Sequence, residues 1–269
     1  MTASHAAIDS LSPVEGLTVA LNDGVFSVTI DRPESLNSVT TPVLAGIADA
    51  MEAAARDPRV RVVRFGGAGR GFSSGAGIGA EDEVDGVATD IIVEANRAIR
   101  AIVALPRPVV AVVQGPCAGI GVSLALACDL VVASDKAFFL LAFTKIGLMP
   151  DGGASALVAA AVGRIRALRL ALLAERLSAA EALEWGLVSA VYPAEEFDAE
   201  VDKLLATVLA GPAAAFSKTK HAINTATLTE LDATLDREYV GQSILLNAHD
   251  FREGARAFQE RRPAVFTDS

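Results

Sequence analysis

Cysteine is scarce in this chain of 269 residues, with two in all, and cations are outnumbered, 23 Lys and Arg against 33 Asp and Glu. Cys117 and Cys128 lie in apolar surroundings and show no metal-ligand spacing, so they read as small buried hydrophobes rather than a staple. A net charge of −10 leaves no basic stripe, which argues against a nucleic-acid binder. It still permits an anionic ligand held by a few placed cations and backbone N–H groups. Long hydrophobic runs are missing despite a mean hydropathy of +0.41. Val109–Val113 and Ala154–Val162 fall far short of the ~18–20 residues a membrane span needs. Met1 to Val14 has neither a cationic n-region nor an apolar h-region, so a cytoplasmic protein is expected.

What is there, at 52% hydrophobic and 21% charged, suits a packed core. Leu17–Leu21 and Val25–Ile30 are β-rich runs around Asn22-Asp23-Gly24, a hairpin signal. Thr41 as N-cap with Pro42 at the first helical position opens a helix through Arg56, and Asp57-Pro58 stops it. Val60–Phe65, Val109–Val113 and Leu130–Ala133 read as buried strands, the first two followed by glycine-rich segments. Ile91 to Leu105 and Val122 to Cys128 read as helices between them, which is the grammar of an α/β fold. From Ser155 onward the pattern is almost wholly helical: Ala156–Ala161, Ile165–Ala174, Ala179–Trp185, Glu195–Leu209, Pro212–Thr225, Glu230–Asn247 and Asp250–Glu260. No repeat or low-complexity linker intervenes.

Gly71-Phe72-Ser73-Ser74-Gly75 matches the G-x-S-x-G of a hydrolase elbow. The elbow needs a strand directly before it, a helix directly after, and a downstream acid and histidine. Glycines flank it on both sides, and His221 and His249 lie in the helical tail, so a serine hydrolase is rejected. Neither glycine loop holds G-x-G-x-x-G, and the chain has no Walker loop, so no nucleotide fingerprint is present. Two glycine-rich strand ends could instead converge two N–H donors into an oxyanion hole, or merely permit tight turns.

Asp31-Arg32-Pro33-Glu34-Ser35-Leu36-Asn37-Ser38, Gly71 through Ile78, Gln114 through Asp129, Lys145 through Gly153, Ala180 through Val188 and Glu253 through Arg262 occur in the order of the crotonase (enoyl-CoA hydratase/isomerase) superfamily, which the chain resembles over about residues 17–266. The resemblance implies an α/β fold, the crotonase-like β-β-α superhelix over residues 15–200, with a helical trimerisation region over 201–269. It implies homotrimers or dimers of trimers, acyl-CoA substrates, and no metal or organic cofactor beyond the coenzyme A that enters with the substrate. By register, the oxyanion donors are the N–H groups of Ala76 and Ile120. The aspartate that often follows the first donor is Gly77 here. The two glutamates that hold water in hydratases of the family fall on Ser123 and Phe143, neither of which can replace a carboxylate.

Asp151, in Met149-Pro150-Asp151-Gly152-Gly153, stands where some isomerases of the family carry a catalytic aspartate. One carboxylate suffices to move a C=C bond, whereas hydration wants two, so the count favours an enoyl-CoA isomerase. Burial against Phe139, Phe143 and Leu148 could raise the pKa of Asp151 into a useful range. Its other reading is the N-cap of the helix near Ala154. Glu81, Asp82, Glu83 and Asp85 are further acids, read as a solvated cluster that a loop could bring inward. For the CoA moiety the resemblance implies backbone at Ser73, Ser74 and Gly75, and Phe258 and Arg261 reaching in from a neighbouring subunit. Arg32 and Arg70 are phosphate candidates because guanidinium pairs well with phosphate. Rival readings are a hydratase using a non-standard acid and a catalytically silent acyl-CoA binder.

Overall fold

The computed structural model of the chain describes residues 7–77 and 89–267. It opens with a hairpin of β1 (Leu17–Asn22) and β2 (Val25–Ile30), paired from Leu17↔Ile30 to Asn22↔Val25. Asp23 and Gly24 both take positive φ at the tip, the twist a two-residue hairpin loop requires. Helix α1 (Thr41–Arg56) follows, burying Val43, Leu44, Ile47 and Met51. Its N-cap is Thr40 rather than Thr41, and no side chain caps it; Pro42 sits within the first turn, where a missing N–H costs nothing.

Strand β3 (Val62–Gly67), helix α2 (Asp90–Ala104), strand β4 (Val109–Val113), strand β5 (Pro116–Ala118), helix α3 (Ile120–Leu126), strand β6 (Leu130–Ser134) and strand β7 (Phe138–Leu140) come next. Helices α4 (Ala154–Val162) and α5 (Arg164–Leu173), strand β8 (Leu177–Ser178), helix α6 (Ala179–Trp185) and strand β9 (Ala190–Tyr192) lead to the final helices, α7 (Phe197–Leu209), α8 (Ala213–Thr227), α9 (Leu231–Leu245) and α10 (His249–Glu260). The main sheet has the order β1-β2-β3-β4-β6-β9, parallel apart from the hairpin, and β5-β7-β8 form a second, small sheet.

Helices cover both faces of the main sheet, which is why β4 is buried at all five residues. Val63, Phe65, Val109, Ala111 and Val113 face the large core under α1 and α2. The alternate residues Val62, Val110, Val112 and Val132 face Phe197, Val201 and Leu205 of α7. Burying side chains as large as Phe65 or Ile99 contributes about 1.5–3 kcal/mol each.

Four strands escape the sequence pattern. Strands β5, β7, β8 and β9 have two or three residues each, too few for an alternation to register, and β8 and β9 lie in the stretch read as helical. The boundary drawn after residue 200 falls inside α7, whose apolar face belongs to the sheet. No helix among the described residues is long and apolar enough to cross a membrane.

Candidate active site

Parallel neighbours β3 and β4 deliver two glycine-rich segments to the same end of the sheet. Asn37, fully buried, pins the first: its Nδ2 donates to the carbonyls of Ala68 at 2.8 Å and Gly71 at 2.7 Å, while Oδ1 accepts from Arg32 N. The segments are laced together by Phe72 N and Ser73 N donating to Pro116 O, and by Ala118 N donating to Ser73 O at 2.8 Å. Beyond that lacing they touch: a Cβ on Gly75 would stand 3.1 Å from Ala118 O and 3.4 Å from Gly119 Cα. Gly75 and Gly119 have φ of +97° and +54°, so both the contact and the turn call for glycine.

Among the described residues, this arrangement leaves two N–H groups over. Val39 N donates to Gly75 O and Gly77 N to Val39 O, so Ala76, between them, turns its own N–H away from that ladder. Ile120 is the first residue of α3, where no intrahelical carbonyl is in reach. Ala76 and Ile120 line one cavity of about 120 Å³ with Ser74, Gly75, Gly119 and Asp151. Gln242 also lines it, and the rest of the wall is apolar and includes Leu44, Ile92, Ala142, Phe143, Leu246 and Phe251.

Asp151 lies in the turn before α4, and three side chains from two helices hold that turn. Ser123 Oγ on α3 donates to the Asp151 carbonyl at 2.8 Å. From α9, Gln242 Nε2 donates to Asp151 Oδ2 at 2.9 Å, and Gln242 Oε1 accepts from Met149 N at 3.2 Å. One helical turn earlier, Glu238 accepts from Gly153 N at 2.6 Å and Ser155 N at 2.8 Å. Glu238 thus does across space what a local N-cap does in sequence. The capping reading of Asp151 is corrected on that ground: the N-cap of α4 is Gly153, and the Asp151 carboxyl is turned to the cavity.

Burial of the Asp151 carboxyl pushes its pKa up from 3.8 to about 7; the Gln242 hydrogen bond opposes the rise and the charge of Glu238 adds to it. Glu238 is also raised, chiefly by burial. A carboxyl near neutrality can both take and return a proton.

The remaining expected residues divide. Ser74 and Gly75 line the cavity, as does Phe143. Ser73 does not: it is fully buried, its hydroxyl donates to Asn37 O at 2.8 Å, and its backbone groups are spent on lacing the two segments. Ser123, also fully buried, acts on the backbone of Asp151 and is not on the cavity wall. Arg32 donates to Ser38 O and Oγ, a local tie away from the cavity. Arg70, Phe258 and Arg261 are exposed and off the wall of this chain's cavity; Phe258 and Arg261 were expected to serve a neighbour. Glu81, Asp82, Glu83 and Asp85 lie outside the described residues. Among the described residues, no group of three His, Cys, Asp or Glu is placed to hold a metal ion.

Gln242 and Glu238 were missed by the sequence reading. Their signal is a helical stripe, Leu231, Leu235, Glu238, Gln242, whose spacing of four, three and four residues puts two polar side chains on the buried face of α9.

Comparison with known proteins identifies the family. The family model for enoyl-CoA hydratase/isomerase matches residues 20–269, and the chain belongs to that family. It is 36% identical over 249 residues to 1,2-epoxyphenylacetyl-CoA isomerase of Escherichia coli K12, covering 91% of this chain and 95% of the relative. It is 32% identical over 252 residues to trans-2-decenoyl-[acyl-carrier-protein] isomerase of Streptococcus mutans, covering 92% and 96%. Among solved structures, an enoyl-CoA hydratase from Mycobacterium avium subsp. paratuberculosis K-10 superposes with a TM-score of 0.91 at 71% identity, covering 95% of this chain and 100% of that one. The architecture is the crotonase fold with a helical C-terminal region. The names of these relatives divide between isomerase and hydratase.

Proposed function

We propose that the chain is an enoyl-CoA isomerase that moves a C=C bond along an acyl-CoA thioester, with Asp151 as the single acid/base. The observation that carries this reading is the composition of the site among the described residues: the cavity wall carries one carboxyl and two unengaged N–H donors, and the positions where a hydratase keeps its glutamates hold Phe143 on that wall and Ser123 off it. Asp151 takes the proton as the substrate C–H bond breaks, and the electron pair moves into the thioester to give an enolate. The Ala76 and Ile120 N–H groups hold the enolate oxygen. Asp151 then returns the proton to another carbon of the conjugated system and is again a carboxylate. The net change is the position of one double bond, so coenzyme A enters only as part of the substrate, and no redox partner or metal is called upon. Removing one such donor typically costs about 3–4 kcal/mol of transition-state stabilisation.

Assembly into trimers or dimers of trimers belongs to the same proposal. Ile165, Leu172, Leu173, Val240, Ile244 and Phe258 are each more than half exposed in the single chain, an apolar surface suited to subunit contact, and sedimentation would measure the mass.

The test is incubation with 3-enoyl-, 2-enoyl- and 2,5-dienoyl-CoA in deuterated water, with mass spectrometry, for wild type and Asp151→Asn. Bond migration with deuterium uptake, lowered about 10²–10⁴-fold in the variant, supports the reading. Addition of water by wild type would replace it with a hydratase working through another acid. Tight binding without turnover would replace it with an acyl-CoA binder.

A further inference from the structure

Asp151 has two oxygens in different surroundings. Oδ2 accepts from Gln242 Nε2 at 2.9 Å, whereas Oδ1 has no protein partner among the described residues and belongs to a side chain on the cavity wall. The Gln242 amide is itself fixed: its Oε1 accepts from Met149 N at 3.2 Å, and a flipped amide would set donor against donor there and acceptor against acceptor at Asp151. Gln242 is only 2% exposed, so water does not offer the amide an alternative. Its NH₂ is therefore a permanent donor toward Oδ2, and a hydroxyl on that oxygen would meet an N–H.

We propose that Gln242 is a positioning residue that confines the proton carried by Asp151 to Oδ1, the oxygen not committed to α9. The inference rests on the reading of Asp151 as the acid/base and adds how the shuttle works. With Oδ2 held, the carboxyl keeps one orientation while the proton is taken from one carbon and given to the next. A glutamine performs this role where a glutamate could not, because a carboxyl at 242 could trade the proton with Asp151 and draw it away from the cavity. Among the described residues, Glu238, one turn away on α9, is the titratable neighbour whose charge reaches Asp151. Ser123 from α3, Phe143 from the turn after β7 and Phe251 from α10 bring no charge.

The experiment is the pH dependence of 3-enoyl-CoA isomerisation for wild type, Gln242→Leu, Gln242→Glu and Asp151→Asn. The wild-type acid limb of kcat/KM is expected near the Asp151 pKa of about 7. Loss of the donor in Gln242→Leu disfavours the carboxylate and moves that limb up by about one unit. Its kcat/KM then falls about tenfold below both midpoints and rejoins wild type in base, with KM unchanged. Gln242→Glu can still accept from Met149 N, so it keeps the turn in place should the leucine variant fail to fold; its limb moves up as well, by like-charge repulsion. A loss uniform across pH, or an unmoved limb in a folded variant, would overturn the role of Gln242. Full activity in Asp151→Asn would overturn the reading of Asp151 itself, whatever the glutamine variants do.

Discussion

The two halves of the site are built by opposite means. The oxyanion half is backbone: Ala76 and Ile120 contribute N–H groups placed by the contact of Gly75 with Gly119 and by the lacing of residues 72–73 to 116–118. The acid half is side chain: Asp151 sits in a turn held by Ser123 from α3 and by Glu238 and Gln242 from α9. Backbone donors need no particular residue and do not titrate. A carboxyl takes its pKa from every group around it. The same pocket thus joins a part fixed by geometry to a part tuned by neighbours far away in the chain.

Apart from loss of the Asp151 carboxyl itself, the largest effect should come from breaking the backbone half. Ile120→Pro removes one N–H at the first residue of α3, a position where proline is otherwise well accepted. Isomerisation should fall about 10²–10³-fold while the far-ultraviolet circular dichroism stays unchanged. Ile120→Ala, which keeps the donor, should lose far less in kcat.

Changes to the acid half should act through pH. Asp151 binds its proton more tightly folded, at about 7, than unfolded, near 3.8. Its contribution to stability is nil below pH ~4, turns unfavourable as pH rises toward 7, and is constant above. Asp151→Asn escapes this cost, so in urea its stability should gain on wild type between pH 4 and 7, by up to about 4 kcal/mol, and gain no further at higher pH. A difference independent of pH would mean that the carboxyl titrates normally.

Glu238→Gln is a finer probe. It removes the charge that raises Asp151, so the acid limb of kcat/KM should move down, opposite to the shift expected of Gln242→Leu. It also leaves Gly153 N or Ser155 N without an acceptor, which should cost about 1–3 kcal/mol in chemical denaturation. The smallest effect belongs to Ser123→Ala, which removes one hydrogen bond to the Asp151 carbonyl. About 0.5–1.5 kcal/mol of stability and a less than tenfold change in kcat are expected, measurable side by side.

The same contrast explains what was legible in the sequence. The hairpin at Asn22-Asp23-Gly24, the buried run Val109–Val113 and the glycine segments at 71–77 and 115–121 announce themselves, because turn chemistry, burial and φ are local demands. Asp151 was reached through the family resemblance, as the acid at a register where some isomerases carry one. Its partners were not, because Glu238 and Gln242 follow it by 87 and 91 residues, on a helix whose sequence shows no marked apolar face. The alternative reading of Asp151 as an N-cap failed for the same reason: a glutamate from α9 had taken the N–H groups. Ser73, part of a tempting elbow motif, is a buried tie whose hydroxyl is spent on Asn37 O. The short strands β5, β8 and β9 exist because a neighbouring strand is there to pair with, a condition no local pattern records.

The central claim is that a single carboxyl, lifted by burial, does the proton transfer. The most direct measurement is an infrared difference titration of wild type against Asp151→Asn, following the protonated carboxyl band between pH 4 and 9. A band that disappears with a midpoint near 7 is the predicted result. A midpoint near 4, the range of an ordinary solvated aspartate, would contradict it.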